Sequence, residues 1–421
     1  MKLRLILCAA LLSAPAYAEP TQTLTIEQAV QIAMKQQPSL RQSRAQLEAA
    51  RGRVDQVEAG RRPQVTLSAS LSANGGGGQR DYLDATAGAS VGAAASWRIY
   101  DFGQTAAQLR AASLSAQATA AGIDTTSLDV VREVEIAFLE AVARARLVTV
   151  ADATVKSEVG HLDQAKRFVA AQAKDPIEVV QAQARAANAK AALAQAQSNA
   201  AIALANLRAA IGSVDPNQTI AVAQSWPVPP DSPPPLVSLV ETARKQRPEL
   251  VQADREIAAA EANIDAAAAG RRPVLSANAR TDWSPQFGGN WEQPGWSAGL
   301  SLSWLIYDGG RTSADVRVAR ANRESALAQR DALLLDLTSQ LDATRAQIEA
   351  NRAGVDSSTE AVEAARAQLK LAEARYAQGL GSQIELTDAQ TAVTTAEGNL
   401  IQAEWQLANA WTSLRRALGS R

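Results

Sequence analysis

The sequence predicts a mainly α-helical chain with a small β part, built as a tandem duplication of one β-hairpin and one long helical hairpin. Three observations carry this. Two stretches alternate apolar and polar residues with a period of two. They open on Gly60-Arg61-Arg62-Pro63 and Gly270-Arg271-Arg272-Pro273, and close on Tyr100-Asp101-Phe102-Gly103 and Tyr307-Asp308-Gly309-Gly310. The two stretches lie roughly 210 residues apart, which marks an internal repeat. Each is followed by a long Ala-rich run without proline, its larger apolar residues at helical spacing.

The chain has 421 residues and a net charge of −1, a balance that argues against a nucleic-acid partner. Much of its 47% hydrophobic share is Ala. Thin helix pairs packed through Ala are therefore expected in place of a thick core. Residues 1–18 read as a secretory signal: Lys2 and Arg4, then apolar Leu5 to Leu12, then the cleavage site Ala16-Tyr17-Ala18, leaving Glu19 first. Cys8 is the only cysteine and would leave with the signal, so no disulfide and no Cys metal site is expected.

The first repeat, residues 19–212, begins with Thr25-Ile26-Glu27-Gln28, a capping box ahead of a helix to about Gln36. Pro38 interrupts it, and a second helix runs to about Ala59. The hairpin follows over 63–101 and a long α-hairpin over 104–211, its tip near Asp175-Pro176-Ile177-Glu178. There Asp175 suits the N-cap, Pro176 the first helical position and Glu178 the third. Residues 213–235 hold seven prolines and form a linker. The second repeat, 236–421, runs likewise: a helix stopped by Pro248, a helix to about Ala269, a hairpin over 273–308 and an α-hairpin over 311–418. Its tip has Gly379 placed for a helix C-cap and Ser382 with Glu385 placed for a second capping box.

After the signal, no apolar run reaches the ~18 residues of a transmembrane helix. A closed barrel can still cross a membrane. Leu275, Ala277, Ala279, Thr281 and Trp283 share one face with Trp296, Ala298, Leu300, Leu302, Trp304 and Ile306. Trp97, Trp283, Trp296 and Trp304 are candidate membrane-interface residues, since the indole is apolar while its N–H needs a polar partner. An ordinary sheet over a soluble core would need a bulky apolar face to cover it, and no nearby segment offers one. Four strands cannot close a barrel, whose smallest closed forms have about eight, so copies must share one. Geometry allows two or more copies; three would give a 12-stranded trimeric barrel.

These features resemble the TolC family of outer-membrane efflux and secretion channels. The matching residues are Leu24-Thr25-Ile26-Glu27-Gln28-Ala29 with Pro38, the two Arg-Arg-Pro motifs, Tyr307-Asp308-Gly309-Gly310, Arg375-Tyr376 with Gly379, and Leu414-Arg415. The likeness covers nearly the whole mature chain. It implies a homotrimer in outer-membrane lipid, with an α-helical tunnel through the periplasm. A periplasmic adaptor and an inner-membrane transporter would dock at the tip and open it. The channel would be passive, with the energy supplied by the transporter. Glu385 and Asp388 match the family's acidic gate positions, and Gly379, Leu380, Gly381 and Ser382 its adaptor-contact tip. In a trimer the two acids would form stacked rings that favour cations. Glu385 equally fits a capping box with Ser382, and Asp388 a solvated surface charge. Gly381 stands where the family often has a basic residue, and the first tip, Ala170 to Asp175, lacks glycine.

No catalytic constellation, metal cluster or cofactor loop appears; His161 is the sole histidine and reads as a solvated helix residue. No enzyme activity, cofactor or metal is expected. The rival reading is a periplasmic coiled-coil adaptor or scaffold without a pore, which leaves the duplicated amphipathic hairpins unexplained.

Overall fold

The chain enters its first helix through a capping box. Gln28 N donates to Thr25 Oγ1 at 3.3 Å, and Thr25 N donates to Gln28 Oε1 at 3.0 Å. The computed structural model describes residues 23–75, 85–213, 221–223, 230, 232–283 and 295–420. The expected signal at 1–18 with Cys8, both hairpin tips at 76–84 and 284–294, and most of the proline-rich linker lie outside the described residues.

The first copy holds β1 (Thr23–Leu24), α1 (Ile26–Gln36), α2 (Pro38–Ala59), β2 (Gln64–Gly75), β3 (Ala85–Tyr100), α3 (Gln104–Ala170) and α4 (Ile177–Ala210). After β4 (Ala221–Val222), the second copy holds α5 (Leu236–Gln246), α6 (Pro248–Ala268), β5 (Val274–Trp283), β6 (Gly295–Ser303), α7 (Arg311–Ala377) and α8 (Gln383–Leu418). Pro38 and Pro248 both sit at the start of a helix, where the missing N–H has no intrahelical acceptor to lose. Both α3 and α7 are 67 residues long, so the duplication kept helix length while most side chains diverged. The chain is mainly α with a small β part, as the periodicities predict. The two-residue strands β1 and β4 were not anticipated. β4 lies in the linker and pairs parallel with β1, Leu24 opposite Val222. Two residues are too few for a period-two signal to show.

The chain divides into two compact units, and each draws on both repeats. One holds β1, α1, α3 from Val134 onward, α4, β4, α7 from Ser358 and α8 to Trp405. Its interior is narrow: Val362 and Ala365 of α7 meet Val393 and Ala396 of α8, and nearer the tip Tyr376 meets Leu386 and Ala389. The other unit holds α2, the four strands β2, β3, β5 and β6, α5, α6 and the remaining parts of α3, α7 and α8. Here Leu239 and Leu250 pack with Leu337 and Leu341 of α7 and Leu407 and Leu414 of α8. A polar knot lies in the same unit. Arg416 reaches Asp129 at 2.7 Å and Glu249 at 2.6 Å, and Arg247 lies 3.3 Å from Glu249. Burial alone would lower the Arg416 pKa; the two carboxylates outweigh it and raise it. Gly419 ends α8 at φ +78°, and a Cβ there would come within 2.9 Å of Gln246 O, so the chain end fits this site only as glycine.

Both helical hairpins turn by one device. Ala173 N donates to Phe168 O and Gln172 N to Val169 O, each at 2.9 Å; Leu380 N donates to Arg375 O at 2.9 Å and Gly379 N to Tyr376 O at 3.0 Å. These are the paired bonds of a left-handed helix stop. The left-handed residue is Gly379 at φ +76° in the second tip but Gln172 at φ +58° in the first. α4 then starts as the spacing predicts, Asp175 Oδ1 accepting from Ile177 N at 2.9 Å.

A side chain in that conformation costs about 1 kcal/mol or more. Gln172→Gly is expected to slow amide exchange at the first tip about 5-fold, and Gly379→Ala to speed it by a similar factor at the second. Hydrogen-exchange mass spectrometry of the tip peptides checks both.

Candidate functional site

The sheet runs β2-β3-β5-β6, antiparallel throughout. Its register merges the separate alternations into one apolar face. Leu67, Ala93, Thr281 and Trp296 form one row, and Val65, Ala95, Ala279 and Ala298 another. The opposite face is polar: Ser70 and Ser90 hydroxyls are 2.7 Å apart, Asn278 donates to Ser301 at 3.1 Å, and Arg280 lies 3.7 Å from Asp282. The apolar face is bare, with Leu71 83% and Trp296 80% exposed. At about 25 cal/mol per Å² of apolar area, such a face is costly in water and favourable in lipid.

The four tryptophans mark the two ends of this face. Trp97 and Trp304 stand at the helix-side end, their indole N–H groups donating to the carbonyls of Arg61 at 2.9 Å and Arg271 at 3.2 Å. Both acceptors belong to the repeated Gly-Arg-Arg-Pro motif. Trp283 and Trp296 stand at the far end. Trp296 and Trp304 are about 26 Å apart along an extended chain, or ~20 Å at the tilt of a barrel strand, close to the height of a ~25 Å lipid-facing band.

Below each hairpin an aspartate caps the long helix. Asp101 accepts from Gly103 N at 3.1 Å, Thr105 N at 2.9 Å and the Thr105 hydroxyl. Asp308 accepts from Gly310 N at 3.0 Å and Thr312 N at 2.8 Å, with Arg271 at 3.6 Å. Burial pushes Asp101 up, but the Thr105 and Gly103 hydrogen bonds outweigh it and hold it below the ordinary value. Hydrogen bonds from Thr312 chiefly hold Asp308 down to about 2. Arg272 of the second motif donates to Phe102 O at 2.8 Å, tying the two copies together. Sequence reading named neither threonine and quoted this arginine only as part of the repeated motif, without a contact; the repeated Asp-x-Gly-x-Thr spacing was the available signal.

At the second tip the sequence-named residues separate into different roles. Leu380 is 71% exposed. Gly381 is buried, and a Cβ on it would meet Tyr376 N at 3.0 Å and Arg375 Cβ at 3.1 Å. Ser382 Oγ accepts from Glu385 N at 3.1 Å, the cap the spacing predicts. The Glu385 carboxylate reaches Arg375 at 3.4 Å, so Arg375 supplies the basic group that Gly381 does not. Asp388 is exposed one turn further along α8.

Sequence reading named Tyr376 only as a matching residue and Glu178 only as a helix-start residue, and missed that together they form the hub of this tip. Tyr376 is buried, and its hydroxyl donates to Glu178 Oε2 at 3.1 Å. Gln383 Nε2 donates to Glu178 O at 3.2 Å, Lys174 lies 3.4 Å from the Glu178 carboxylate, and Phe168 packs edge-on at 5.8 Å between ring centres. Lys174 Nζ also lies 5.3 Å from the centre of the Tyr376 ring, so two residues of the second hairpin hold three of the first. Burial, then the Glu178 hydrogen bond and charge, push the Tyr376 hydroxyl up to about 12. The available signal was that Phe168 and Tyr376 are the lone aromatics near their tips. His161 differs from the expectation of a solvated residue: it is half-buried, its ring nitrogen 3.1 Å from Ser157 Oγ, which donates to Gln390 at 2.9 Å. Among the described residues no cluster of His, Cys, Asp and Glu could hold a metal ion, and no helix is long and apolar enough to cross a membrane.

Fold and sheet together define a class: duplicated helical-hairpin proteins that carry a sheet with one face suited to lipid. A family model described as outer membrane efflux protein matches residues 29–213 and 239–420. The chain belongs to the outer membrane efflux protein family. Protein CyaE of Bordetella pertussis is 30% identical over 336 residues, 76% of this chain and 67% of that protein. Nodulation protein T of Rhizobium leguminosarum bv. trifolii is 23% identical over 410 residues, 96% of this chain and 86% of that protein. The solved CmeC outer membrane channel of Campylobacter jejuni shares the fold, with TM-score 0.77 at 16% identity, over 94% of this chain and 85% of that one.

The aspartate caps give a pH dependence with a definite sign. A depressed carboxylate pKa stabilises fully above the unfolded value, 3.8, and the stabilisation is lost as pH falls through the folded value, about 2 for Asp308. The thermal midpoint of detergent-solubilised protein is expected to fall between pH 4 and 2. An Asp101→Asn/Asp308→Asn variant should start lower at neutral pH and lose part of that slope; a thermal melt series reads both.

Proposed function

We propose that this chain is the passive outer-membrane exit duct of an export machine, working as a homotrimer. The observation that carries this is the four-stranded sheet with a bare apolar face, a polar reverse face and two unpaired edges. Three copies would supply twelve strands, enough to close a barrel whose polar faces line a pore. The sheet then lies in outer-membrane lipid, the tryptophans at its two interfaces, and the helices lie in the periplasm.

The helical tips form the gate. Tyr376 and Glu178 hold the two hairpins of each subunit together, and Arg375 restrains Glu385. Copies of Glu385 and Asp388 around the threefold axis set a cation preference. A periplasmic adaptor and an inner-membrane transporter dock at Gly379, Leu380, Gly381 and Ser382 and draw the tips apart. The transporter supplies the energy and selects the substrate.

Planar-bilayer recording tests this. Purified protein should give a small, cation-preferring conductance, and Glu385→Ala/Asp388→Ala should lower that preference. A pore unchanged by the substitutions would remove the acids from the gate; no pore from folded protein would favour a scaffold. Tyr376→Phe keeps the ring but removes a hydrogen bond to a charged acceptor, worth about 1.5–3 kcal/mol. It should raise conductance roughly 10-fold or more if that bond holds the closed state.

A further inference from the structure

The two hairpins share one register. Gln64 pairs with Ser96 and Val274 with Ser303, so β2 maps onto β5 at an offset of 210 and β3 onto β6 at an offset of 207. The turns that follow also match: Phe102 and Gly309 have φ +52° and +64°, and Gly103 and Gly310 φ +89° and +90°. Yet their surroundings differ. The first turn is covered, since a Cβ on Gly103 would lie 3.0 Å from Arg272 Nη1. The second is bare, since a Cβ on Gly309 or Gly310 would meet nothing within 4 Å. The strands differ in the same way. β3 continues to Tyr100 against β5, whereas β6 stops at Ser303, before the corresponding Trp304 to Tyr307. Ile306 is 83% exposed where its counterpart Ile99 is 40% exposed. Arg62, the counterpart of Arg272, is largely exposed and rests 3.2 Å from Glu58.

Everything the second turn lacks is what β5 and Arg272 give the first. In the trimer proposed above, β6 of one copy meets β2 of a second; we propose that they meet in the register of the β3–β5 junction, and that Arg62 of the second copy closes the junction by donating to the Gly309 carbonyl of the first. Applying the two offsets to the internal pairs Ala95–Ala279, Ser96–Asn278, Trp97–Ala277 and Tyr100–Leu275 fixes the new ones. Leu302 meets Ala69, Ser303 meets Ser68, Trp304 meets Leu67 and Tyr307 meets Val65. Trp304 to Tyr307 becomes strand on assembly. Arg62 leaves Glu58, whose counterpart in the second copy is Ala268, a residue unable to hold Arg272 back. This deepens the trimer reading and rests on it.

Cysteine pairs test the register. Ser303→Cys/Ser68→Cys and Leu302→Cys/Ala69→Cys sample both faces; Ser303→Cys/Ser72→Cys is displaced by about 13 Å, beyond the ~7 Å a disulfide tolerates. Bonding within one chain is excluded, because β6 and β2 are opposite edges of the sheet, about 14 Å apart. The expected result is covalent multi-subunit species after oxidation and boiling for at least one of the first two pairs and none for the third. An oligomer that cross-links only through the displaced pair, or through none, overturns the register and leaves the trimer standing. Unoxidised protein that is monomeric in unheated gels overturns both. For the clasp, Arg62→Ala should lower the temperature at which the oligomer dissociates by several degrees, while Glu58→Ala leaves it unchanged or raises it. Equal losses in the two variants, or none with Arg62→Ala, would overturn the role of Arg62.

Discussion

A backbone N–H or C=O left unpaired in hydrocarbon costs several kcal/mol, and this structure has a sheet whose two outer strands offer rows of them. The remaining features of the sheet follow from that constraint. Its strands alternate so that one side is apolar and suited to lipid while the other is polar and suited to water. Its lower corners are fixed by Asp101 and Asp308, which cap the helices at the point where strand becomes helix. Its indole N–H groups at the helix-side end find carbonyls of the motif that starts each hairpin. A sheet so well satisfied inside and so open at its edges is half of a contact surface.

The helical parts answer a different constraint. Alanine buries little area per residue, so seams such as Ala365 with Ala396 hold helices close without contributing much hydrophobic free energy. Specific polar contacts make up the difference at the points that matter. Arg416 gathers Asp129 and Glu249 in one unit; Tyr376 gathers Glu178 in the other. Of these, Arg416 with Glu249 is the pair largely shielded on both sides, so its loss is severe even where its net value is small.

Legibility in the sequence followed periodicity. The helices, the strand alternation and the caps at Thr25, Asp175 and Ser382 were readable because each has a local signature a few residues wide. The strand pairing of β3 with β5 was not, because it joins residues roughly 175 to 190 apart with no mark on either strand. The same holds for the tip. Glu385 carries a visible capping pattern, but its salt bridge to Arg375 and the burial of Tyr376 against Phe168 arise only when two hairpin ends meet. His161 shows the reverse error: a lone histidine in an Ala-rich helix reads as solvated until Ser157 and Gln390 are seen beside it.

The shared register of the two hairpins bears on how assembly scales with protein concentration. In the twelve-stranded barrel proposed above, a unit with one hairpin would need six copies where this four-stranded chain needs three. Fusion of two units in one chain makes three of the six hairpin-to-hairpin junctions intramolecular. Those junctions form at an effective concentration set by the chain and survive any dilution; only the other three depend on encounter. In the proposed trimer, assembly therefore becomes third order where it would have been sixth, an advantage wherever copies of the chain are sparse.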